Sequence, residues 1–285
     1  MKQARRLLLS SRPLSWINTA FPFAATYFFL GGEVNAFFLI TTLFFLIPYN
    51  FLMYGINDIF DYESDLRNPR KGGLEGALLT PEYHRPMLVL VTLINVPFLA
   101  FISIEMLTNL MALGVFWLAI FFVVAYSAKG LRYKEIPFLD STTSSFHFIG
   151  PAVFALAALQ EFNSSLLIAL ISFFLWGAAS HAFGAIQDIR ADREAGIASI
   201  ATVLGARVTV RIALTAYVFA GLLLLLLPDR FAFASLAAVP YLFVVGRELD
   251  ITDENCERAN RGWKLFLVLN FVAGAIISSL LIGPV

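Results

Sequence analysis

Charge is what this sequence has least of. Of its 285 residues only 14% are charged while 59% are hydrophobic, and its mean hydropathy is +0.78. A soluble domain carries roughly 25% charged residues, so water is not this chain's main solvent. A single cysteine, Cys256, excludes an intrachain disulfide. No small-residue cleavage site follows the apolar run that starts after Lys2, Arg5 and Arg6, and Arg12-Pro13 interrupts that run. It therefore reads as a retained first membrane segment and not as a signal peptide. There is no glycine-rich phosphate loop, no nucleic-acid signature, and no Cys–His or Ser–His–Asp arrangement that would suggest covalent catalysis.

What fills the chain is long apolar runs. Crossing a ~30 Å hydrocarbon core takes about 20 apolar residues. Stretches of that order fall near residues 13–30, 36–60, 84–104, 110–127, 138–159, 165–187, 208–227, 231–247 and 263–283. The expected fold is an all-α membrane protein of nine transmembrane helices forming one domain over residues 1–285. Gly31-Gly32, Pro137 and Pro228 punctuate its joints. Prolines inside spans (Pro22, Pro48, Pro97, Pro151, Pro240) are tolerated where neighbouring helices satisfy the freed backbone.

Basic residues orient such a bundle. With nine spans, all but one of the 20 lysines and arginines fall on one side, the exception being Arg230. That side is cytoplasmic and holds the N-terminus; the C-terminus lies opposite.

The same side carries two acidic clusters. After the second span the chain reads Asn57-Asp58-Ile59-Phe60-Asp61-Tyr62-Glu63-Ser64-Asp65. Asp58, Asp61 and Asp65 are spaced by three and four, so on a helix they share one face. A solvated acidic helix end is the plain reading of one such cluster. The arrangement recurs, however, at the end of the sixth span as Gln187-Asp188-Ile189-Arg190-Ala191-Asp192-Arg193. Like charges on one face call for a hard cation with oxygen ligands, and Mg²⁺ typically takes one or two carboxylates plus substrate phosphates. Arg67, Arg70 and Lys71 follow the first cluster and supply what an anion on that metal needs.

This points to diphosphate chemistry. An allylic diphosphate leaves readily once its charge is neutralised by metal and basic side chains. The allylic cation must then be shielded from water, which an apolar bundle does. The 29 phenylalanines offer faces that could stabilise it, although lipid-facing packing accounts for most of them.

These motifs resemble the UbiA superfamily of intramembrane prenyltransferases. Asn57-Asp58-x-x-Asp61-x-x-x-Asp65 matches its first motif and Asp188-x-x-x-Asp192 its second. Within that superfamily the likeness is to actinobacterial lycopene elongases of fifty-carbon carotenoid synthesis. It is carried by Ser11-Arg12-Pro13-Leu14-Ser15-Trp16, Ile47-Pro48-Tyr49-Asn50, Asn68-Pro69-Arg70-Lys71, Ala198-Ser199-Ile200-Ala201-Thr202 and Cys256-Glu257-Arg258-Ala259-Asn260-Arg261. The resemblance implies a bundle in the bacterial cytoplasmic membrane, with a central cavity opening to the cytoplasmic side. It implies transfer of dimethylallyl groups from dimethylallyl diphosphate to the ends of lycopene, with two Mg²⁺ ions as the expected cofactor. Membrane lipid and other pathway enzymes, such as a carotenoid cyclase, are the expected partners.

Carried over residue by residue, Asn57, Asp58, Asp61 and Asp65 form one metal–diphosphate half-site, and Asp188 and Asp192 the other. Arg67, Arg70 and Lys71 resemble diphosphate contacts, as do Lys129, Arg132 and Lys134, for which positive-inside placement is an equal explanation. Arg12 begins the first span within reach of a diphosphate or as an interfacial anchor. Asn50 and Tyr54 could line a pocket or serve interhelical hydrogen bonding. His147 and His181 lie at membrane depth, and His181 stands two turns before Asp188, where a proton acceptor would be useful. Prenylation of an aromatic quinone precursor or polar lipid uses the same motifs. An anion or cation transporter would instead place its charges at mid-membrane on broken helices.

Overall fold

A computed structural model describes residues 2–66 and 78–282, and all regular structure among them is helical. In chain order the helices are α1 (Lys2–Ser10), α2 (Ile17–Phe29), α3 (Ala36–Leu46), α4 (Pro48–Phe60), α5 (Tyr62–Asp65), α6 (His84–Glu105) and α7 (Leu110–Ser127). There follow α8 (Leu139–Leu159), α9 (Ser164–Ile186), α10 (Ile189–Ala195), α11 (Ile200–Leu204), α12 (Ala206–Leu224), α13 (Val239–Gly246) and α14 (Ala259–Ile282).

Among the described residues, 8 helical stretches are long and apolar enough to cross a membrane, beginning with Ala36–Phe60 and ending with Asp253–Ile282. They coincide with all the expected spans but the first. Residues 13–30 fold as a 3-10 turn, Pro13–Ser15, followed by α2 of only 13 residues. At 1.5 Å per residue α2 is about 20 Å long, short of a ~30 Å core. The outer surface is apolar, with Leu93, Leu110, Val268 and Ile282 each more than half exposed. This is an all-helical integral membrane protein.

The chain divides into two compact units: Met1–Tyr133 with Gly150–Glu161, and Lys134–Ile149 with Phe162–Val285. Aromatic rings build the first core. Phe116 lies 5.6 Å from Phe44 and 5.2 Å from Phe154, and Phe23 lies 5.3 Å from Phe45, all of them fully buried. Such tilted contacts contribute beyond simple burial.

In that unit α3 and α4 join at Ile47-Pro48, where proline withholds a backbone donor. The Asn50 amide closes the joint, donating to the carbonyls of Phe45 and Leu46 at 3.0 and 3.1 Å and to Thr19 Oγ1 at 2.7 Å. A polar side chain thus satisfies the backbone that proline frees.

The second unit packs differently. Small buried residues line the contact of α9 with α12 (Ala179 and Ala182 on one, Ala213 and Ala220 on the other), so the backbones approach closely. Ser172 Oγ donates to the Ala220 carbonyl at 2.7 Å, and the Ser180 and Tyr217 hydroxyls pair at 2.7 Å.

Candidate active site

The first aspartate group is built on a helix break. α4 ends at Phe60, Asp61 adopts φ −99°, ψ 0°, and α5 restarts one residue later. Helical register nevertheless runs through the break: Asp61 N–H donates to the Asn57 carbonyl at 2.9 Å, and Asp65 N–H to the Asp61 carbonyl at 2.8 Å. Asp58, Asp61 and Asp65 therefore keep their common face, and they are 1%, 6% and 7% exposed.

Two arginines bring positive charge to these carboxylates. Arg12 Nη2 stands 3.3 Å from Asp58 Oδ1 and 3.4 Å from Asn57 Oδ1, with its guanidinium 4.2 Å from the centre of the Tyr54 ring. Asn57 Nδ2 donates to Ser127 Oγ at 3.0 Å, which fixes the amide so that its oxygen meets Arg12. Arg132 Nη2 lies 3.6 Å from Asp61 Oδ1, and its Nη1 donates to the Phe60 carbonyl at 3.2 Å. Both arginines hold left-handed backbone, φ 50° for Arg12 and φ 43° for Arg132. Each such residue costs about 1–3 kcal/mol and persists only where its surroundings over-determine it.

Three carboxylates share a nearly water-free place, with two guanidiniums against them among the described residues. Clustered carboxylate oxygens suit a hard divalent cation. Among the described residues no three His, Cys, Asp or Glu side chains converge into a ready-made cage. Mg²⁺ needs none, because it keeps waters and uses substrate phosphates beside one or two carboxylates. The donor set fits the ion.

The second group also stands at a helix break, a tighter one: Asp188 N–H donates to the Ala185 carbonyl, three residues back, at 3.2 Å. α9 ends at Ile186, Asp188 adopts φ −98°, ψ −5°, and α10 restarts at Ile189. Asp192 N–H donates to the Asp188 carbonyl at 2.8 Å, as Asp65 does to Asp61. Asp61 and Asp188 hence occupy equivalent places, as do Asp65 and Asp192, while Asp58 corresponds to Ala185. α10 ends on Gly196 at φ 71°, a left-handed cap that glycine adopts without a Cβ penalty.

The arginines beside these aspartates, Arg190 and Arg193, have partners elsewhere. Arg193 Nη1 pairs with Asp253 Oδ2 at 2.7 Å and its Nη2 donates to the Thr202 carbonyl at 2.7 Å; Arg190 pairs with Glu257 at 3.2 Å. Asp253 also accepts from the Ala206 N–H at 2.7 Å, capping α12. Nearby, Asp140 is fully buried and receives the N–H groups of Ser141 at 2.6 Å and Ile200 at 2.7 Å. Ser141 Oγ lies 3.1 Å from His181 Nδ1.

The model of the UbiA prenyltransferase family matches residues 19–272. The chain belongs to that family. This UbiA-family prenyltransferase is 51% identical over 283 residues to the C(50) beta-cyclic carotenoids biosynthesis protein LbtBC of Dietzia sp. (strain CQ4), covering 98% of its own length and 65% of the Dietzia protein. It is 48% identical to the lycopene elongase/hydratase of Corynebacterium glutamicum, covering 99% of this chain and 98% of that one. Its fold is similar to a UbiA homolog from Archaeoglobus fulgidus bound to DMAPP and Mg²⁺, with TM-score 0.67 and 18% identity over 95% of this chain and 99% of that one.

The structure brings Asn57, Asp58, Asp61, Asp65, Arg12, Tyr54 and Arg132 into the first group and Asp188 and Asp192 into the second. Arg67, Arg70 and Lys71 lie outside the described residues. Lys129 is exposed after α7, Lys134 is half-buried in the turn Tyr133–Glu135, and Asn50 closes the α3–α4 joint. Sequence reasoning did not single out Ser127, Asp140, Ser141 or Asp253. Their partners are distant in sequence; the one available signal was a charged Asp140 opening an apolar run.

Proposed function

We propose that this protein transfers dimethylallyl groups from dimethylallyl diphosphate to the two ends of lycopene, giving forty-five- and fifty-carbon carotenoids of the flavuxanthin type. The observation that carries this reading is the repeated aspartate-bearing helix break, present in a chain similar over nearly its whole length to the Corynebacterium lycopene elongase/hydratase. The Archaeoglobus homolog, bound to DMAPP and Mg²⁺, supports the donor and the metal.

In this reading Asp58, Asp61 and Asp65 hold one Mg²⁺, and Asp188 and Asp192 a second. Bound there, the metal supplies charge neutralisation for a departing diphosphate. Arg12 and Arg132, already set against the carboxylates, donate hydrogen bonds to diphosphate oxygens, joined by Arg67, Arg70, Lys71, Lys129 and Lys134. Asn57 orients Arg12, and Tyr54 supports its guanidinium from one face. The apolar walls exclude water from the cation that remains. Residues 1–285 act as one catalytic domain in the bacterial cytoplasmic membrane, with membrane lipid around it and other carotenoid enzymes, such as a cyclase, using its product. A ninth span, a cytoplasmic N-terminus, a C-terminus on the opposite side and a cavity open to the cytoplasm belong to the same reading.

The test is to give isolated membranes lycopene, dimethylallyl diphosphate and Mg²⁺. Pigments heavier by one and by two five-carbon units are expected. Unchanged lycopene beside a prenylated phenol would move the acceptor to the aromatic class.

A further inference from the structure

We propose that His181 takes the proton released when the prenylated acceptor cation closes to an alkene, with Ser141 and Asp140 as its positioning residues. This rests on the lycopene reading above and adds the residue that finishes the reaction.

The geometry lies wholly within the second unit. His181 is half-buried on α9, two turns or about 10 Å before Asp188 and on nearly the same face. Tyr54 holds the equivalent place before Asp61, where it touches the arginine that meets the aspartates. The seventh position before each break thus carries a side chain suited to the site's chemistry. Ser141, 5% exposed, meets His181 Nδ1 at 3.1 Å and thereby fixes the ring. In the tautomer whose Nδ1–H donates to Ser141 Oγ, Nε2 is the basic nitrogen, and that tautomer is part of the proposal.

Asp140 is held in place by the backbone. It is fully buried, its two oxygens are taken by the backbone N–H groups of Ser141 and Ile200, and it interacts electrostatically with His181. Burial disfavours a charged imidazole, and the fixed carboxylate of Asp140 offsets part of that cost when the proton arrives, while its backbone bonds hold Ser141 and the start of α11 in register.

The electrons balance as follows. The allylic C–O bond breaks and its pair leaves with diphosphate. The terminal double bond of the acceptor supplies the pair for the new C–C bond, leaving the neighbouring carbon cationic. A C–H bond beside that carbon gives its pair to a new double bond, and the proton passes to His181 Nε2. Without the base, water adds to the cation and an alcohol results.

The experiment counts alkene product formed per diphosphate released, in membranes supplied with lycopene, dimethylallyl diphosphate and Mg²⁺. In His181→Gln, which keeps the size and polarity of the ring but not its basicity, this ratio should fall about 100-fold, with hydrated prenylated carotenoid rising in its place. Ser141→Ala should lower it about 10-fold, because the ring keeps its basicity and loses its orientation. An unchanged ratio in both variants, whether or not total turnover falls, overturns the base assignment alone. Absence of any prenylated carotenoid from the wild-type protein overturns the acceptor assignment and this inference with it.

Discussion

The two helix breaks have similar dihedrals at Asp61 and Asp188 and differ in charge. At Asp61 three carboxylates are buried with two guanidiniums against them, and both arginines sit in strained left-handed conformations. At Asp188 two half-buried carboxylates stand beside arginines that are turned to Asp253, Thr202 and Glu257, and alanine replaces the third acid. The bridge-region kink with restored register is therefore the common device for presenting acids four apart. How much positive charge accompanies them is set separately, by distant segments. The first group pairs its acids with arginines from distant segments; the second is a simpler pair of acids on a short helix capped by Gly196.

This comparison can be broken most severely at the breaks themselves. Asp61→Ala and Asp188→Ala should each lower prenyl transfer on the order of 10²–10³-fold or more, with membrane insertion intact, since each removes a ligand of the metal that would neutralise the departing diphosphate. A large loss from one and none from the other would end the equivalence of the two groups.

Next in size is the position where they differ. Asp58→Asn removes the nearest of the buried counter-charges of Arg12, and Asp61 and Asp65 remain; breaking a buried pair costs roughly 3–5 kcal/mol when nothing else compensates. Arg12 is partly solvated, with 21% of its side chain exposed, so the lower end of that range is expected in a detergent thermal-inactivation assay. The reciprocal Ala185→Asp should also destabilise, by about 1–3 kcal/mol, because Arg190 and Arg193 are already paired with Glu257 and Asp253. Stabilisation by Ala185→Asp would show that charge compensation is shared more widely than the ion pairs indicate.

A milder change tests the pre-set arginine. Arg12→Lys keeps the charge and loses the planar fork over Tyr54, so the KM for dimethylallyl diphosphate should rise about 10-fold with a smaller change in kcat. Smallest of all, Asp253→Ala removes the α12 cap and the partner of Arg193, and about 1 kcal/mol of stability is expected to go with them.

Much of this was legible in the chain. The three-and-four spacing of Asp58, Asp61 and Asp65 follows helical period, which the structure keeps. The apolar runs mark the eight long helices because length and hydropathy suffice for that. The kinks at Asp61 and Asp188 were not legible, since neither proline nor glycine stands there to announce them. Nor was the shortness of α2: Arg12 in left-handed backbone and the turn Pro13–Ser15 use up residues that hydropathy alone assigns to a span. Asp140 escaped notice because what gives it meaning is a backbone N–H at Ile200, far away in sequence.

The most direct test of the central claim is equilibrium binding of labelled dimethylallyl diphosphate to the purified protein, with and without Mg²⁺, in the wild type and in Asp61→Ala and Asp188→Ala. The account predicts tight binding only with Mg²⁺, weakened at least about 10-fold by either substitution. Equal binding without the metal, or wild-type affinity in both variants, would contradict it.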